Sequence, residues 1–395
     1  MNRPFGVYVH FPYCLAKCPY CDFLSVASPR EAVPHRAYAD AVLAELHRRA
    51  RDVPGREVST LFFGGGTPSL WDPRELGRVV DAVRRTFPVA ADLEITAECN
   101  PSSLDEARAR ALRDAGVNRV SIGVQSLDRS RLEFLGRLHD PDGALRAVRA
   151  AIDAGVPRVS ADFIFGVAGQ SAEDAVREMT AIADLGPTHV SAYALTIEPG
   201  TRFGALHQKR QLPLLPEDVV AESFVALHEL LTGRGYVHYE ISNYGKPGEF
   251  ARHNLGYWRG DDYLGLGCGA WGTVPLGARH VRYRNTPVPD RYLGSAESWA
   301  SADVFRAGPG ELVSELETLS PEARLLERLM LGLRLAEGLD VEAAARDVGV
   351  DPWPTERVRA VERLAARGRI AREGPRLRIP YDAWLLADGT IAEVA

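Results

Sequence analysis

Six short runs rich in β-branched and aromatic residues recur through the first half of the chain: Val7–His10, Thr60–Phe63, Leu93–Ala97, Arg119–Val124, Arg158–Phe165 and His189–Leu195. Between most of them lie stretches with apolar residues at helical spacing, among them AYADAVLAELHRRA, DPRELGRVVDAVRRTF and AEDAVREMTAIADL. A helical crossover returns the chain to the same end of the sheet, so strands alternating with helices lie parallel. Six such units predict an α/β fold, a partial (β/α)6 TIM-like barrel rather than an eight-fold closed one. In such folds the chemistry sits where the strands end. Each strand's exit is therefore the place to look.

After the first strand comes Cys14-x3-Cys18-x2-Cys21, three of only five cysteines in 395 residues. Five thiols in a chain of this length make no disulfide scaffold, and clustered ones point to metal or redox chemistry. MNRPFGVYVHFPYC has neither the apolar run nor the small-residue cleavage site of a secretion signal. No apolar run of about 18 residues is present to span a membrane. The net charge of −6 gives no bulk attraction to nucleic acid. A cytoplasmic protein is expected. Three thiolates at this spacing can hold three corners of a cubane iron–sulfur cluster, leaving one iron open to a small molecule. A zinc site is the competing reading, with His10 or Cys268 as fourth ligand. Spacing alone does not choose between them. Cys99 and Cys268 otherwise read as small buried fillers.

The second strand runs into FFGGGTPSLW. Gly64, Gly65 and Gly66 permit close backbone approach and positive φ, Pro68 fixes the exit, and a helix is expected from Asp72-Pro73. A tight barrel turn would need the same small residues. Position favours a ligand loop, one strand along from the cysteines.

CxxxCxxC after one strand and GGGTP after the next resemble the radical S-adenosylmethionine (SAM) superfamily, and its coproporphyrinogen oxidase-like branch in particular. The resemblance implies a [4Fe-4S] cluster on Cys14, Cys18 and Cys21. It also implies SAM chelating the open iron, where an electron from the cluster can cleave the sulfonium. The remaining strand exits match the superfamily's SAM motifs: Glu98 in ITAECNP, Gln125 in SIGVQS, Arg137 in FLGRLH and Asp162 in SADFIFG. Their chemistry suits an ammonium, ribose hydroxyls, a carboxylate and a ribose diol in that order. Gly64, Gly65, Gly66 and Thr67 join this set, with Tyr8, Tyr20 and the stretch Tyr193–Ile197 flanking cluster or adenine.

Two departures separate the chain from the oxygen-independent coproporphyrinogen III dehydrogenases of that branch. Those enzymes carry a fourth cysteine two residues after the third, where this chain has Phe23, and a long extension where only 13 residues precede Cys14. Both features resemble the HemW-type haem chaperones, and HNLGYW, residues 253–258, matches the chaperones' HNxxYW signature. The resemblance implies a haem site. His253 is the axial ligand, Tyr257 and Trp258 pack on the porphyrin, and Asn254 orients the imidazole or meets a propionate. His280 is a competing ligand. A His-Asn turn beside core aromatics is what the same residues would mean without the family. The implied function is haem delivery to acceptor haemoproteins, with SAM and cluster structural or regulatory and no catalytic residue assigned. A homodimer and peripheral membrane contact belong to the same expectation. The alternative is the dehydrogenase itself, for which the complete SAM set speaks.

GLGCG, residues 265–269, lacks the setting of a dinucleotide loop and reads as a close-packed turn. Beyond about residue 300, SPEARLLERLMLGLRLAEGL opens with an N-cap serine and proline. VEAAARDVG, TERVRAVERLAARG and the hairpin RIAREGPRLRIP follow, predicting a small helical, winged-helix-like C-terminal domain. It is expected to cover the open barrel or contact a partner. The expected divisions are 1–235 for the barrel, 236–305 for the haem motif and its connections, and 306–395 for the C-terminal domain.

Overall fold

All six runs are strands in the computed structural model, which describes residues 4–294, 303–308 and 310–395. They are β1 (Phe5–Phe11), β2 (Val58–Gly65), β3 (Val89–Cys99), β4 (Arg119–Gln125), β5 (Arg158–Phe165) and β6 (His189–Ala194). Each pairs in parallel with the next in chain order. Alternation explains why they read so clearly. Val7, Val9, Leu61, Phe63, Ile95, Ala97, Val120 and Ile122 point outwards into the core beneath the helices. The alternate positions, Tyr8, His10, Thr60, Phe62, Glu94, Glu98, Ser121, Ser160 and Asp162, meet one another across the lumen.

The helices start where polar caps put them. Asp72 accepts from the backbone N–H of Arg74 at the start of Pro73–Thr86, and Leu76, Val79, Val80 and Val83 make its buried stripe. Ser171 and Asp174 form a reciprocal capping box on Ala172–Ala183.

The sheet runs on past the six strands. On the free edge of β1, Asp262–Leu266 adds in parallel, and Trp271–Leu276, Arg279–Asn285 and Val313–Thr318 follow antiparallel. Beyond β6 come Asn243–Gly245 and Val237–Glu240, giving twelve strands whose two edge strands do not pair with each other among the described residues. Residues 236–294 thus build sheet as well as connections. The divisions drawn from sequence begin at residue 1 and cross 295–302 and 309, positions outside the described residues.

The glycine string closes this extension. A Cβ on Gly265 would lie 1.8 Å from the Trp271 carbonyl oxygen, and Gly267, at φ +98°, packs on the His10 carbonyl. Beneath it Glu45 and Arg49, wholly buried on the helix His35–Arg49, pair at 2.7 Å. Glu45 also accepts from Gly267 N–H and Tyr292 O–H.

Ser320 caps the helix Pro321–Gly332, which joins Val341–Val348, Thr355–Ala366 and Ala387–Val394 around Leu325, Leu329, Val361, Leu364 and Leu377. A three-stranded wing, including the hairpin Ala371–Glu373/Arg376–Arg378, completes this second core. It docks through the Ile241 and Ala336 amides and through His228, whose ring stacks on Tyr381 at 3.8 Å. Among the described residues no helix is long and apolar enough to cross a membrane.

Candidate functional site

The glycine loop and the cysteine loop are laced together by their backbones. Gly66 N–H donates to Phe11 O at 2.7 Å, Thr67 N–H to Tyr13 O at 2.9 Å, and the Thr67 hydroxyl reaches Cys14 Sγ at 3.3 Å. None of the three glycines has room for a Cβ. It would stand 3.1 Å from Glu98 Oε2 at Gly64, 2.3 Å from the His10 ring at Gly65 and 2.7 Å from the Pro12 carbonyl carbon at Gly66. Gly65 also sits at φ +106°. Gly65→Ala is therefore expected to cost about 1–3 kcal/mol in unfolding free energy from the strained backbone alone. Denaturant unfolding checks it, and an unchanged midpoint would refute the cradle.

Cys14, Cys18 and Cys21 are half-buried free thiols in the loop after β1. Burial raises the pKa of Cys14 and takes that of Cys21 to about 11, and the neighbouring Cys18 adds to both. A thiol so placed keeps its proton in water and releases it to solvent when a metal takes the sulfur. Among the described residues no three His, Cys, Asp or Glu side chains are drawn into a metal-holding group. His10 divides its two ring nitrogens between Tyr8 O–H at 2.9 Å and Leu24 O at 2.8 Å. Cys268 is wholly buried against Thr286 O, and Cys99 is buried in the core. The two candidates for a zinc's fourth ligand are thus engaged elsewhere. Phe23 is 60% exposed, so no packing demand accounts for its presence.

Around this loop the strand exits gather polar groups. Glu98 accepts from Gly65 N–H at 2.9 Å. Burial lifts its pKa to about 7, Asp162's charge adding and the Gly65 N–H opposing. Ser121 Oγ donates to both Asp162 oxygens at 2.9 and 3.0 Å, and burial raises that carboxyl as well. Arg137 donates to Gly123 O at 3.0 Å and lies 3.5 Å from both Cys18 Sγ and Tyr20 Oη. Gln125 takes φ +66°, unusual for a side chain of its size. Gln125 Oε1 and Arg137 Nε are buried with no hydrogen-bond partner. Unmet polar atoms beside a glycine cradle and three thiols are what a polar cofactor chelated to a cluster would satisfy. The residues present fit the group.

The helix Arg252–Arg259, which carries HNLGYW, lies at the opposite end of the strands. Glu94 accepts from the Arg252 and His253 amides at 3.3 and 3.1 Å, holding the helix N-terminus. Glu94 is itself paired at 3.0 Å with buried Arg119, whose other arm binds the Glu249 and Phe250 carbonyls. Gly260, at φ +68°, ends the helix. His253 is 3% exposed, beneath Gly6 and stacked 5.0 Å from Phe62. Its Nδ1 is 2.8 Å from Thr60 Oγ1 and its Nε2 is 2.9 Å from Tyr257 Oη. Burial takes its pKa down to about 3. Trp258 packs on Tyr239, Leu255 and Leu335. Tyr8 fills the lumen between the two ends, its ring 6.4 Å from His253 and its hydroxyl on His10.

The structure thus brings Cys14, Cys18, Cys21, Gly64–Gly66, Thr67, Glu98, Gln125, Arg137, Tyr20 and Asp162 to one mouth. It keeps His253, Tyr257 and Trp258 at the base. Sequence reasoning missed Thr60, Glu94, Arg119 and Ser121. The signal available for them was a polar side chain at every second position of otherwise apolar strands, which marks a lumen face.

Comparison with known proteins adds relatives. Residues 8–181 match the radical SAM superfamily and residues 319–386 the HemN C-terminal domain. The chain is 43% identical over 307 residues to the heme chaperone HemW of Escherichia coli, covering 76% of this chain and 80% of that protein. It is 36% identical over 392 residues to the heme chaperone HemW of Mycobacterium tuberculosis, covering 99% and 94%. Among solved structures it resembles coproporphyrinogen III oxidase (HemN) from Escherichia coli, a radical SAM enzyme. The TM-score is 0.80 at 21% identity, over 100% of this chain and 90% of that one, which is a likeness of fold.

Proposed function

We propose a haem carrier's role for this chain, which belongs to the HemW family of haem chaperones within the radical SAM superfamily. In this reading it binds haem and passes it to acceptor haemoproteins, and holds a [4Fe-4S] cluster and SAM at the barrel mouth. The observation that carries the reading is the HNLGYW helix, anchored at the barrel base by Glu94 and bordered by two cavities.

At the mouth, Cys14, Cys18 and Cys21 would hold the cluster, and Glu98, Gln125, Arg137, Asp162 and the Gly64–Gly66 backbone would hold SAM. When bound, the cluster supplies an iron open to the ligand's amino and carboxylate groups, and an electron. The chain's own part is positioning. Gly65 N–H orients the Glu98 carboxylate, and Ser121 holds Asp162 with both oxygens aligned. Arg137 bridges the Gly123 carbonyl and the cysteine loop.

Glu98 makes the mouth pH-sensitive. Below about pH 7 its carboxyl keeps its proton and offers an ammonium no charge; above, it is the carboxylate that pairs. SAM affinity is thus expected to fall as pH drops through 7, by up to about tenfold per unit. Glu98→Gln should be weak at every pH. Calorimetric titration of the cluster-loaded protein at several pH values checks this, and a flat wild-type profile would contradict it.

The function is tested by anaerobic titration of haem into cluster-reconstituted protein, then mixing with an apo-acceptor such as apomyoglobin. Saturable, near-stoichiometric uptake followed by transfer is the expected result. The complete set of polar groups at the mouth favours the dehydrogenase as second reading. No uptake, with carbon dioxide released from coproporphyrinogen III in the presence of SAM and a reductant, would replace the carrier with that enzyme.

A further inference from the structure

Gln125 ends β4 in a conformation that needs outside support. At φ +66° it makes a three-residue turn, closed by Ser126 N–H on the Val124 carbonyl at 2.8 Å. For a residue with a side chain this is the rare, strained form of such a turn. The pairing of β4 with β5 slips at the same point, between Gly123 and Gln125. The turn places the Gln125 amide over Gly123. A Cβ there would stand 2.8 Å from Gln125 Nε2 and 3.1 Å from Arg137 Nη2, so the two side chains lie together. Gln125 Oε1, buried without a partner, is the acceptor left for a ligand.

What holds the turn is a carboxylate from the next unit of the barrel. Glu178, buried on the helix Ala172–Ala183, accepts from the Ser126 hydroxyl at 2.5 Å and from the Leu127 amide. Its other oxygen accepts from Arg131 at 2.7 Å and from Gln170 Nε2 at 3.3 Å. Arg131 lies on the short helix Arg129–Phe134 that follows the turn. Gln170 in turn accepts from the Gly166 amide at 2.9 Å, just past β5. Each of these four groups meets Glu178 as a donor. A carboxylate, which only accepts, serves all four; an amide would set N–H against N–H on one side.

We propose that Glu178 is a positioning residue for SAM, holding the turn at Gln125 in its left-handed form so that the amide meets the ligand. The proposal rests on the reading of the mouth as a SAM site. Glu178 acts through Ser126 and Leu127, which follow Gln125, and not on the ligand itself. Through Gln170 it also ties the exit of β4 to the turn after β5, the strand that carries Asp162.

The test is calorimetric titration of SAM into cluster-loaded, full-length protein, with electron paramagnetic resonance of the reduced cluster alongside. Glu178→Gln should hold wild-type iron and give the wild-type signal before SAM is added. Its affinity for SAM should fall roughly 10–100-fold, the usual effect of removing a partner that orients a ligating group. A double-variant cycle separates positioning from a structural role. Gln125→Gly takes positive φ freely but has no amide, and should itself bind SAM more weakly. Adding Glu178→Gln to it should weaken binding by less than about threefold more, because the group being positioned is gone. Losses that multiply overturn the proposal, and so does a Glu178→Gln protein with wild-type affinity. If Glu178→Gln fails to fold or to take up its cluster, Ser126→Ala replaces it. That variant removes one donor and leaves Glu178 paired with Arg131, Gln170 and the Leu127 amide. It should bind SAM at least about threefold more weakly, as loss of one hydrogen bond does, and wild-type affinity in it overturns the proposal. A cluster-loaded wild type that binds no SAM overturns the SAM reading and the proposal together.

Discussion

Cys18→Ser protein, reconstituted anaerobically with iron and sulfide, is expected to hold almost none of the iron and of the broad visible absorbance that wild type acquires. Cys14→Ser and Cys21→Ser should fail in the same way. Three thiols in one eight-residue span leave no redundancy, since a cubane held at two corners exchanges its ligands with solvent. The structure also removes the substitutes. His10 is tied to Tyr8 and the Leu24 carbonyl, Cys268 is sealed against Thr286 O, and Cys99 lies in the core. Cys99→Ala and Cys268→Ala should therefore reconstitute fully, which separates loss of a ligand from loss of any thiol. Iron per chain, by colorimetric assay, reads the result. If Cys18→Ser retains wild-type iron, or if Cys268→Ala loses it, the site is not the three-thiol loop.

The barrel was legible because its strands carry two messages at once. Val7, Val9, Phe63 and Ile95 form part of the outer face that helices must cover, and their β-branched or aromatic character gives the strands away. Helix starts were equally readable at Asp72-Pro73 and Ser320-Pro321, where a side-chain acceptor precedes proline. The mouth followed from topology alone. Once strands and helices alternate, the loops after β1, β2, β3 and β4 must open at one end, and Cys14, Gly65, Glu98 and Gln125 come with them.

What sequence could not place was the base. HNLGYW sits more than 150 residues from Thr60 and Glu94, the two side chains that fix its position. No local periodicity records contacts over such separations. The same holds for the added strands between 262 and 318. Their apolar alternation is broken by Arg279, Arg282 and Arg284, the last two reaching outwards to Glu partners, which makes the segment look like surface. The consequence is chemical. Read alone, His253 offers a free imidazole; in the fold both its nitrogens are spoken for.

The base has a single point of failure, and Arg119→Met should expose it. Arg119 and Glu94 are 2% and 1% exposed at the side chain, so the pair is shielded from solvent. Removing the guanidinium leaves Glu94 charged in the interior, and also frees the Glu249 and Phe250 carbonyls that Arg119 satisfies. Breaking one side of such a pair typically costs about 3–5 kcal/mol, which denaturant unfolding should register as a large fall in midpoint. The helix consequence is separable from the stability consequence. In an Arg119→Met, Glu94→Leu double variant no buried charge remains, and isosteric apolar replacement of a pair is often close to neutral, so much of the stability should return. The Arg252 and His253 amides would still lack the carboxylate that holds them, leaving the helix N-terminus uncapped. Haem uptake in the double variant is therefore expected to stay well below wild type although the fold has recovered. If uptake recovers in step with stability, Glu94 acts only through the fold. If Arg119→Met unfolds within about 1 kcal/mol of wild type, the pair does not hold the base at all.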